Sequence, residues 1–373
     1  MKKLRDSQKN MYPHSEVKID LLQKYLEIYL NVLSNTFVRK IYLYDLFCGF
    51  GVYENEGMGS PLIMLQEINK VLVAEKGNKI DYQCFFNDYN QENVAKLRKN
   101  IAKKIFNFSV DNVKYSCEDY RSLISEVILE INSFSSHEKA FVFIDPYQYK
   151  GIGFGDIKSL LQSKKAEVLL FLPTQFMFRF ESNGTPESLK CFIEELVPYE
   201  EWPKSATGID FIENLKSHFK IKLGEDYYVD TFVIKRDEGQ YYCLFFFTSH
   251  IFGFQKMLEA KWDIDKNEGR GWCFTHSSDL FAGQKSSVTL KFEMELKRYL
   301  LSGLRTNKDV YEFTLHNGHL PKHANEVLRN WQNEGMLTVL KKDGEMAIKG
   351  SYYLNYQDWR KNPDKVTFQL NCK

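Results

Sequence analysis

Cysteine pairs are missing from this sequence. Its seven cysteines, Cys48, Cys84, Cys117, Cys191, Cys243, Cys273 and Cys372, stand singly, and none forms a Cys-x-x-Cys. That spacing excludes the common zinc modules, and the odd count and wide scatter fit buried free thiols in a reducing cytoplasm. Long apolar runs are missing too. No stretch approaches the ~18 apolar residues of a membrane span, and the Lys/Arg-rich start has no apolar segment behind it. A soluble, cytoplasmic protein without a membrane partner is expected. Charge of one sign is absent: 50 Lys and Arg face 49 Asp and Glu, a net charge of +1. No global field draws in a polyanion, so any nucleic-acid contact must come from a local patch. The 8 histidines are dispersed, and neither metal-ligand spacing nor a Ser-His-Asp order emerges from them. No Pro-Cys pair precedes a candidate site, which disfavours a cysteine nucleophile of the cytosine-C5 kind. Repeats and low-complexity tracts are also absent.

Hydrophobic residues are plentiful, at 43%, beside 27% charged, so a large core can form. The length of 373 residues points to two or three domains. Aromatics reach 15%, with 29 Phe and 22 Tyr, which leaves some free for stacking surfaces.

The chain is organised around residues 41–51, Ile-Tyr-Leu-Tyr-Asp-Leu-Phe-Cys-Gly-Phe-Gly. A short apolar run rich in β-formers enters an acidic residue and then two glycines one residue apart. A buried parallel strand running into a tight, ligand-facing turn reads this way. Before it, Val17, Leu21, Leu22, Tyr25, Ile28, Tyr29 and Leu33 recur at helical spacing, which predicts an amphipathic helix over 14–34. After it, Ser60 and Pro61 suit the N-cap and first turn of a helix to about 75. Strands are expected over 80–86, 113–117, 140–144 and 167–172. Helices over about 90–105, 120–134 and 155–163 alternate with them. That alternation predicts parallel βαβ units. Residues 173–222 read as mostly helical. Residues 227–235 and 240–249 then read as an antiparallel hairpin. Five parallel strands closed by such a hairpin form the Rossmann-like sheet of class I methyltransferases. A helix over 252–266 and a linker over 269–287 follow. Helices over 292–301, 307–317 and 321–334, then a hairpin of 337–340 with 346–354, predict a C-terminal winged helix. The expected domains are an N-terminal helical extension over 1–35, a methyltransferase-like Rossmann domain over 36–268 and a winged helix-turn-helix domain over 288–373.

Four strand ends present polar residues in succession: Asp45 with Gly49 and Gly51, then Asp88, Asp119 and Asp145. Any one of these Asp residues can be an ordinary cap or turn former. Together they suit a nucleoside cofactor. The glycine turn gives it room, and the acid after the second strand can accept from ribose hydroxyls. A polar group after the third strand can hold an adenine amino group. Asp45, Phe47, Gly49, Gly51, Asp88 and Asp119 are therefore the candidate S-adenosylmethionine residues. Asp145-Pro146-Tyr147 is the candidate catalytic edge. Methyl transfer to an exocyclic base nitrogen needs the amino group held in line and its hydrogens accepted. A carboxylate does the second, an adjacent ring can stack on the base, and the proline keeps the turn rigid. In the winged helix, Lys322, His323 and Arg329 on the last helix and Lys341 and Lys342 at the wing are the candidate nucleic-acid contacts. Glu326, Glu334, Asp343 and Glu345 lie among them. No metal site is expected.

At these residues the chain resembles the three-Cys-motif partner family (TcmP). The resemblance runs through Lys18, Tyr25 and Leu26, through Asp45-Leu46-Phe47-Cys48-Gly49-Phe50-Gly51-Val52-Tyr53, and through Gly59-Ser60-Pro61-Leu62. It continues in Phe143-Ile144-Asp145-Pro146-Tyr147 and from Pro321-Lys322-His323-Ala324 to Leu328. It implies a bacterial, phage- or mobile-element-associated protein whose gene neighbours a three-cysteine protein similar to radical S-adenosylmethionine enzymes. Asp145-Pro146-Tyr147-Gln148 also resembles the Asp-Pro-Pro-Tyr of amino methyltransferases and the Asp-Pro-Phe-Gly of guanine-N2 tRNA methyltransferases. Here one proline is missing and Gln148 stands for glycine. Two further readings compete: a catalytically degenerate fold that docks nucleic acid or the three-Cys partner, and a hydrolytic defence effector using the carboxylates.

Overall fold

The structure is a computed structural model. It describes residues 10–74, 80–104, 106–107, 109–146, 152–172, 207–237, 240–273 and 287–371, with 174, 194 and 205 besides. Tyr147 and most of the stretch expected to be helical over 173–206 lie outside the described residues.

Helix α1 (Pro13–Ser34) precedes strand β1 (Lys40–Asp45). Alternation then follows: α2 (Ser60–Val73), β2 (Asp81–Asn87), α3 (Gln91–Ala102), β3 (Val113–Ser116), α4 (Tyr120–Ser133), β4 (Glu138–Ile144), α5 (Phe154–Leu161) and β5 (Ala166–Leu172). After α6 (Gly208–Leu223), β6 (Tyr228–Asp237) and β7 (Gln240–Thr248) form an antiparallel hairpin. Helix α7 (Ile251–Ile264) and the short β8 (Gly271–Cys273) follow. The sheet order is β3-β2-β1-β4-β5-β7-β6-β8, parallel from β3 to β5 with β7 antiparallel to β5. This is the Rossmann-like class I methyltransferase sheet expected from the sequence. One addition is β8, which pairs parallel to β6 through Val233↔Gly271 and lies in the stretch expected to be a linker. Gly271 is needed there, because a Cβ would sit 2.2 Å from the Val233 carbonyl oxygen.

The strands are apolar on both faces because helices cover both. On one face Tyr44, Val142, Ile144, Leu170 and Phe245 pack with Ile124 and Val127 of α4, Ile157 of α5 and Phe219 of α6. On the other, Tyr25 and Tyr29 of α1 lie against Phe141, with ring centroids 5.7 and 5.9 Å away. Tyr29 donates to the Ala140 carbonyl at 3.1 Å, and Tyr25 donates to the Glu167 carboxylate. The helix thus belongs to the sheet's core.

Contacts divide the chain into two compact units, Met1–Lys256 with Gly271–Ser277 and Met257–Arg270 with Ser278–Lys373. The second contains α8 (Ser287–Leu301), β9 (Arg305–Thr306), α9 (Asn307–His316), α10 (Pro321–Asn333), β10 (Leu337–Lys341), α11 (Tyr356–Lys361) and β11 (Val366–Leu370). Three helices and a small sheet of order β10-β11-β9 make the winged helix. Its hairpin differs from the expected one. Residues 346–354 touch β10 only through the Leu340↔Met346 bridge, and β10 pairs instead with β11, from Leu337↔Leu370 to Lys341↔Val366. The reason is burial: Met346 and Ile348 are 72% and 76% exposed, whereas Val366 and Phe368 alternate into the core.

Candidate active site

The carboxyl ends of β1, β2, β4 and β5 bring the strand-end residues to one edge of the sheet, the edge where ligands sit in open α/β folds. Asp45 closes β1 and is completely buried. Its Oδ1 accepts from the Phe47 N–H at 3.2 Å, and its Oδ2 has no hydrogen-bond partner. Burial pushes its carboxyl up to about 7; the Ser60 hydroxyl and the Phe47 N–H pull the other way, while Asp145 and Asp88 push further. A buried carboxyl with an orphan oxygen is costly to keep.

The glycine turn follows. Gly49 and Gly51 have φ of 59° and 78°, the left-handed region that a side chain disfavours. The Gly49 N–H donates to Asp88 Oδ2 at 3.0 Å. Asp88 is buried, and its Oδ1 also accepts from the Asn90 N–H at 2.8 Å and from Asn93 Nδ2 at 3.1 Å. It therefore fastens the turn to β2 and α3, with unused acceptor capacity only on Oδ2. Burial, the largest influence, holds its carboxyl above the usual range against these three donors. Phe47 is half-buried and stacks on Tyr120 with centroids 5.4 Å apart. Asp119 is exposed and caps α4, its Oδ1 accepting from the Arg121 N–H at 3.0 Å. The sequence had two readings for it, cap and ligand, and the structure places it as a cap.

Two residues were missed in the sequence. Asn87 is buried and bridges the ends of β1 and β3, donating to the carbonyls of Leu46 at 3.2 Å and Glu118 at 3.1 Å and accepting from the Glu118 N–H at 3.0 Å. Lys18 is the other. It reaches from α1 and pairs with Asp145 Oδ2. Its ammonium lies 4.5 Å above the Phe171 ring. Burial alone would lower its pKa, but Asp145, Tyr53 and Asp45 together raise it, so it stays charged. Pro146 is buried beside Asp145. Asp45, Asp145, Lys18 and Tyr53 thus share one electrostatic cluster.

The winged helix presents its own candidates. On α10, Lys322 and Arg329 are exposed on one stripe with Glu326, and neither cation forms an ion pair among the described residues. His323 is turned to packing. Its Nδ1 accepts from the Leu320 N–H at 3.1 Å, its ring lies 4.2 Å from Trp262, and burial lowers it to about 4. It is neutral at pH 7 and adds no charge to the face. At the wing, Lys341 pairs with Glu345 at 2.8 Å and Lys342 with Asp364 at 2.6 Å. They border a cleft of about 690 Å³ that Lys361, Lys365 and Tyr353 also line.

Among the described residues no three metal-ligating side chains cluster, and no helix is long and apolar enough to cross a membrane. Residues 267–344 match the family model of the GMT-like winged helix-turn-helix domain. No curated protein matches the chain. Among solved structures it is similar to an O-methyltransferase from Bacillus cereus in complex with SAH, at 10% identity and a TM-score of 0.35, over 61% of this chain and 80% of that one. It is also similar to the O-methyltransferase TomG from Streptomyces achromogenes in complex with SAM, at 10% identity and a TM-score of 0.34, over 61% and 79% of the two chains. The plantazolicin methyltransferase BamL aligns at 10% identity and a TM-score of 0.34, over 64% of this chain and 87% of its own.

Proposed function

We propose that this protein is an S-adenosylmethionine-dependent methyltransferase of the cytoplasm that acts on an exocyclic amino group of a nucleic-acid base. One observation carries the reading. At a single edge of a 3-2-1-4-5-7-6 sheet, a turn with two left-handed glycines stands beside Asp45, a completely buried carboxyl with an unpartnered oxygen, and next to Asp145. The residues fit the cofactor: Gly49 and Gly51 leave room for its backbone-like portion, Asp45 offers an unused acceptor, and Asp88 keeps the turn in place with acceptor capacity left on Oδ2. Phe47 and Asp119 border the same edge.

When bound, the cofactor would supply an electrophilic sulfonium methyl group to the acceptor nitrogen, which would give up one amino proton to solvent. This chain's part is positional and electrostatic. Asp145 accepts a hydrogen bond from the amino group and offsets the positive charge developing on its nitrogen. Pro146 limits the freedom of the turn, and Tyr147 stacks on the base. Lys322 and Arg329 on α10, helped by Lys341 and Lys342, hold the polymer's phosphates. The three-Cys partner, a radical S-adenosylmethionine-like protein of a phage or mobile element, completes the proposed system.

A second reading rests on the Lys18–Asp145 pair, which already occupies one oxygen of the acceptor carboxylate. It makes the chain a binding module without turnover. Labelled S-adenosylmethionine incubated with the protein and with total bacterial RNA or denatured genomic DNA, with and without the partner, separates the two. Label appearing on an amino nitrogen, and lost in Asp145→Ala, is the expected result. Cofactor binding without any transfer supports the second reading.

A further inference from the structure

Lys18 is hard to explain as a structural residue. Its side chain is 9% exposed and that of Asp145 22%. Desolvating two charges gains little over packing apolar groups of similar volume, and such replacements are often neutral or stabilising. At this position on α1 a methionine would rest on Phe171 just as well. What the ammonium meets there is Asp145 and, electrostatically, Asp45 and Tyr53.

The fold nevertheless goes to some length to place it. Met11 and Asn55 exchange hydrogen bonds of 3.0 and 2.9 Å, tying the chain ahead of α1 to the segment after the glycine turn. Beside them runs a ladder of near-parallel rings. Tyr12 and His14 have centroids 5.8 Å apart, His14 and Tyr242 5.3 Å, and Tyr242 and Phe171 5.6 Å. Arg236 lies 5.7 Å from Tyr12 at one end, and Lys18 lies over Phe171 at the other. Tyr242 and Arg236 belong to the β6–β7 hairpin, whose turn end lies at the carboxyl end of β5 through the Leu172↔Cys243 pairing. The ladder therefore joins the start of α1 to the site edge of the sheet and ends at the Lys18 ammonium. Cations cap the rings at both ends, so the ladder acts as a brace and not as an open platform for a base.

We propose that Lys18 is a positioning residue of the acceptor site, holding Asp145 by Oδ2 so that Oδ1 is presented in a fixed direction to the acceptor amino group. This inference rests on the methyltransferase reading above. An unanchored aspartate rotates about its side-chain torsions, and positional errors near 1 Å cost about 100-fold in rate.

The test uses the full-length protein, labelled S-adenosylmethionine and whichever total nucleic-acid fraction the wild type methylates. Lys18→Met keeps the stem on Phe171 and removes the charge; Lys18→Arg keeps a cation. Melting temperature and cofactor affinity by calorimetry are measured alongside kcat and KM. The expected result is a Lys18→Met protein that stays folded at the assay temperature, with its melting temperature lowered by the unpaired Asp145, and that binds the cofactor equally well, with kcat reduced about 10- to 100-fold and KM little changed. Lys18→Arg is expected to recover most of the loss. A Lys18→Met protein with wild-type kcat overturns the inference alone. So does a Lys18→Met protein whose rate loss merely follows a loss of folding. A wild type that binds cofactor but transfers no methyl group, or binds none, overturns the methyltransferase reading and this inference with it.

Discussion

Asp45 is costly to the fold at neutral pH. Its carboxyl is raised to about 7, first by burial, whereas in the unfolded chain it sits near 3.8. The sign follows from linkage. Below 3.8 both states are protonated and no penalty exists. As pH rises towards 7 the unfolded state ionises freely and the folded state does not, so stability is lost across that window, by up to about 4 kcal/mol. Asp45→Asn is expected to flatten the pH dependence of the urea midpoint between pH 4 and 8. A variant whose midpoint falls with pH as steeply as wild type's removes the argument. The same residue makes a second expectation. A sulfonium near Asp45 favours its ionised form, so affinity for S-adenosylmethionine should rise from pH 6 to 8. Affinity for S-adenosylhomocysteine, which lacks that charge, should change less. Equal pH slopes for the two ligands would separate Asp45 from the sulfonium.

Lys18 shows what residue-level reading can miss. It shares a helical stripe with Leu22, Tyr25 and Tyr29, all buried against the sheet. A lone lysine on an otherwise apolar face is a usable signal, because its charge needs a partner inside. Its partner, Asp145, is 127 residues away, and no local pattern could supply that pairing. Asp119 shows the opposite case, a residue with two local readings. An Asp after a strand and before a helix satisfies capping and ligand readings equally, and the structure adds the cap contact to the Arg121 N–H.

At the level of elements the sheet was legible because each strand is a short apolar run bounded by turn residues and separated by a helical period. The β6–β7 hairpin, expected at 227–235 and 240–249, is observed at Tyr228–Asp237 and Gln240–Thr248. What escaped were the strands with weak local signals. Strand β8 has three residues and exists through its pairing with β6. Strand β11 lies beyond a helix, so the nearer 346–354 stretch looked like the natural partner of β10. The glycine turn, by contrast, was read from Gly49 and Gly51 alone, and both have the positive φ that makes glycine necessary. At Gly51 a Cβ would also lie 2.5 Å from Leu97 Cδ1. Gly51→Ala is therefore expected to lower stability by at least about 1 kcal/mol from the left-handed penalty alone and to weaken cofactor binding further by moving the turn. A variant with wild-type stability and affinity would show that the turn tolerates a side chain and holds no ligand.

For the whole molecule, the net charge of +1 means that grip on a polymer depends on where cations are left unpaired. In the winged helix the wing lysines are matched by Glu345 and Asp364, while Lys322 and Arg329 have no such partners among the described residues. Exposed pairs are weak and can exchange for phosphate, but on the proposed reading the α10 face is the one that meets it first. Reversing both charges, Lys322→Glu with Arg329→Glu, is expected to weaken binding to nucleic acid and to reduce the log–log salt slope by about 2, one for each lost phosphate contact. An unchanged slope would show that this face does not meet the backbone. His323, neutral and packed on Trp262, is not expected to contribute to that slope.

The central claim is that the sheet edge around Asp45 and the glycine turn holds S-adenosylmethionine, and calorimetric titration of the purified full-length protein tests it most directly. The account predicts one cofactor molecule bound per chain, with binding lost or strongly weakened in Gly51→Ala, and a stabilisation of about 2.7 kcal/mol at a hundredfold excess over the dissociation constant. A folded wild-type protein that releases no binding heat and gains no stability at millimolar cofactor would contradict it.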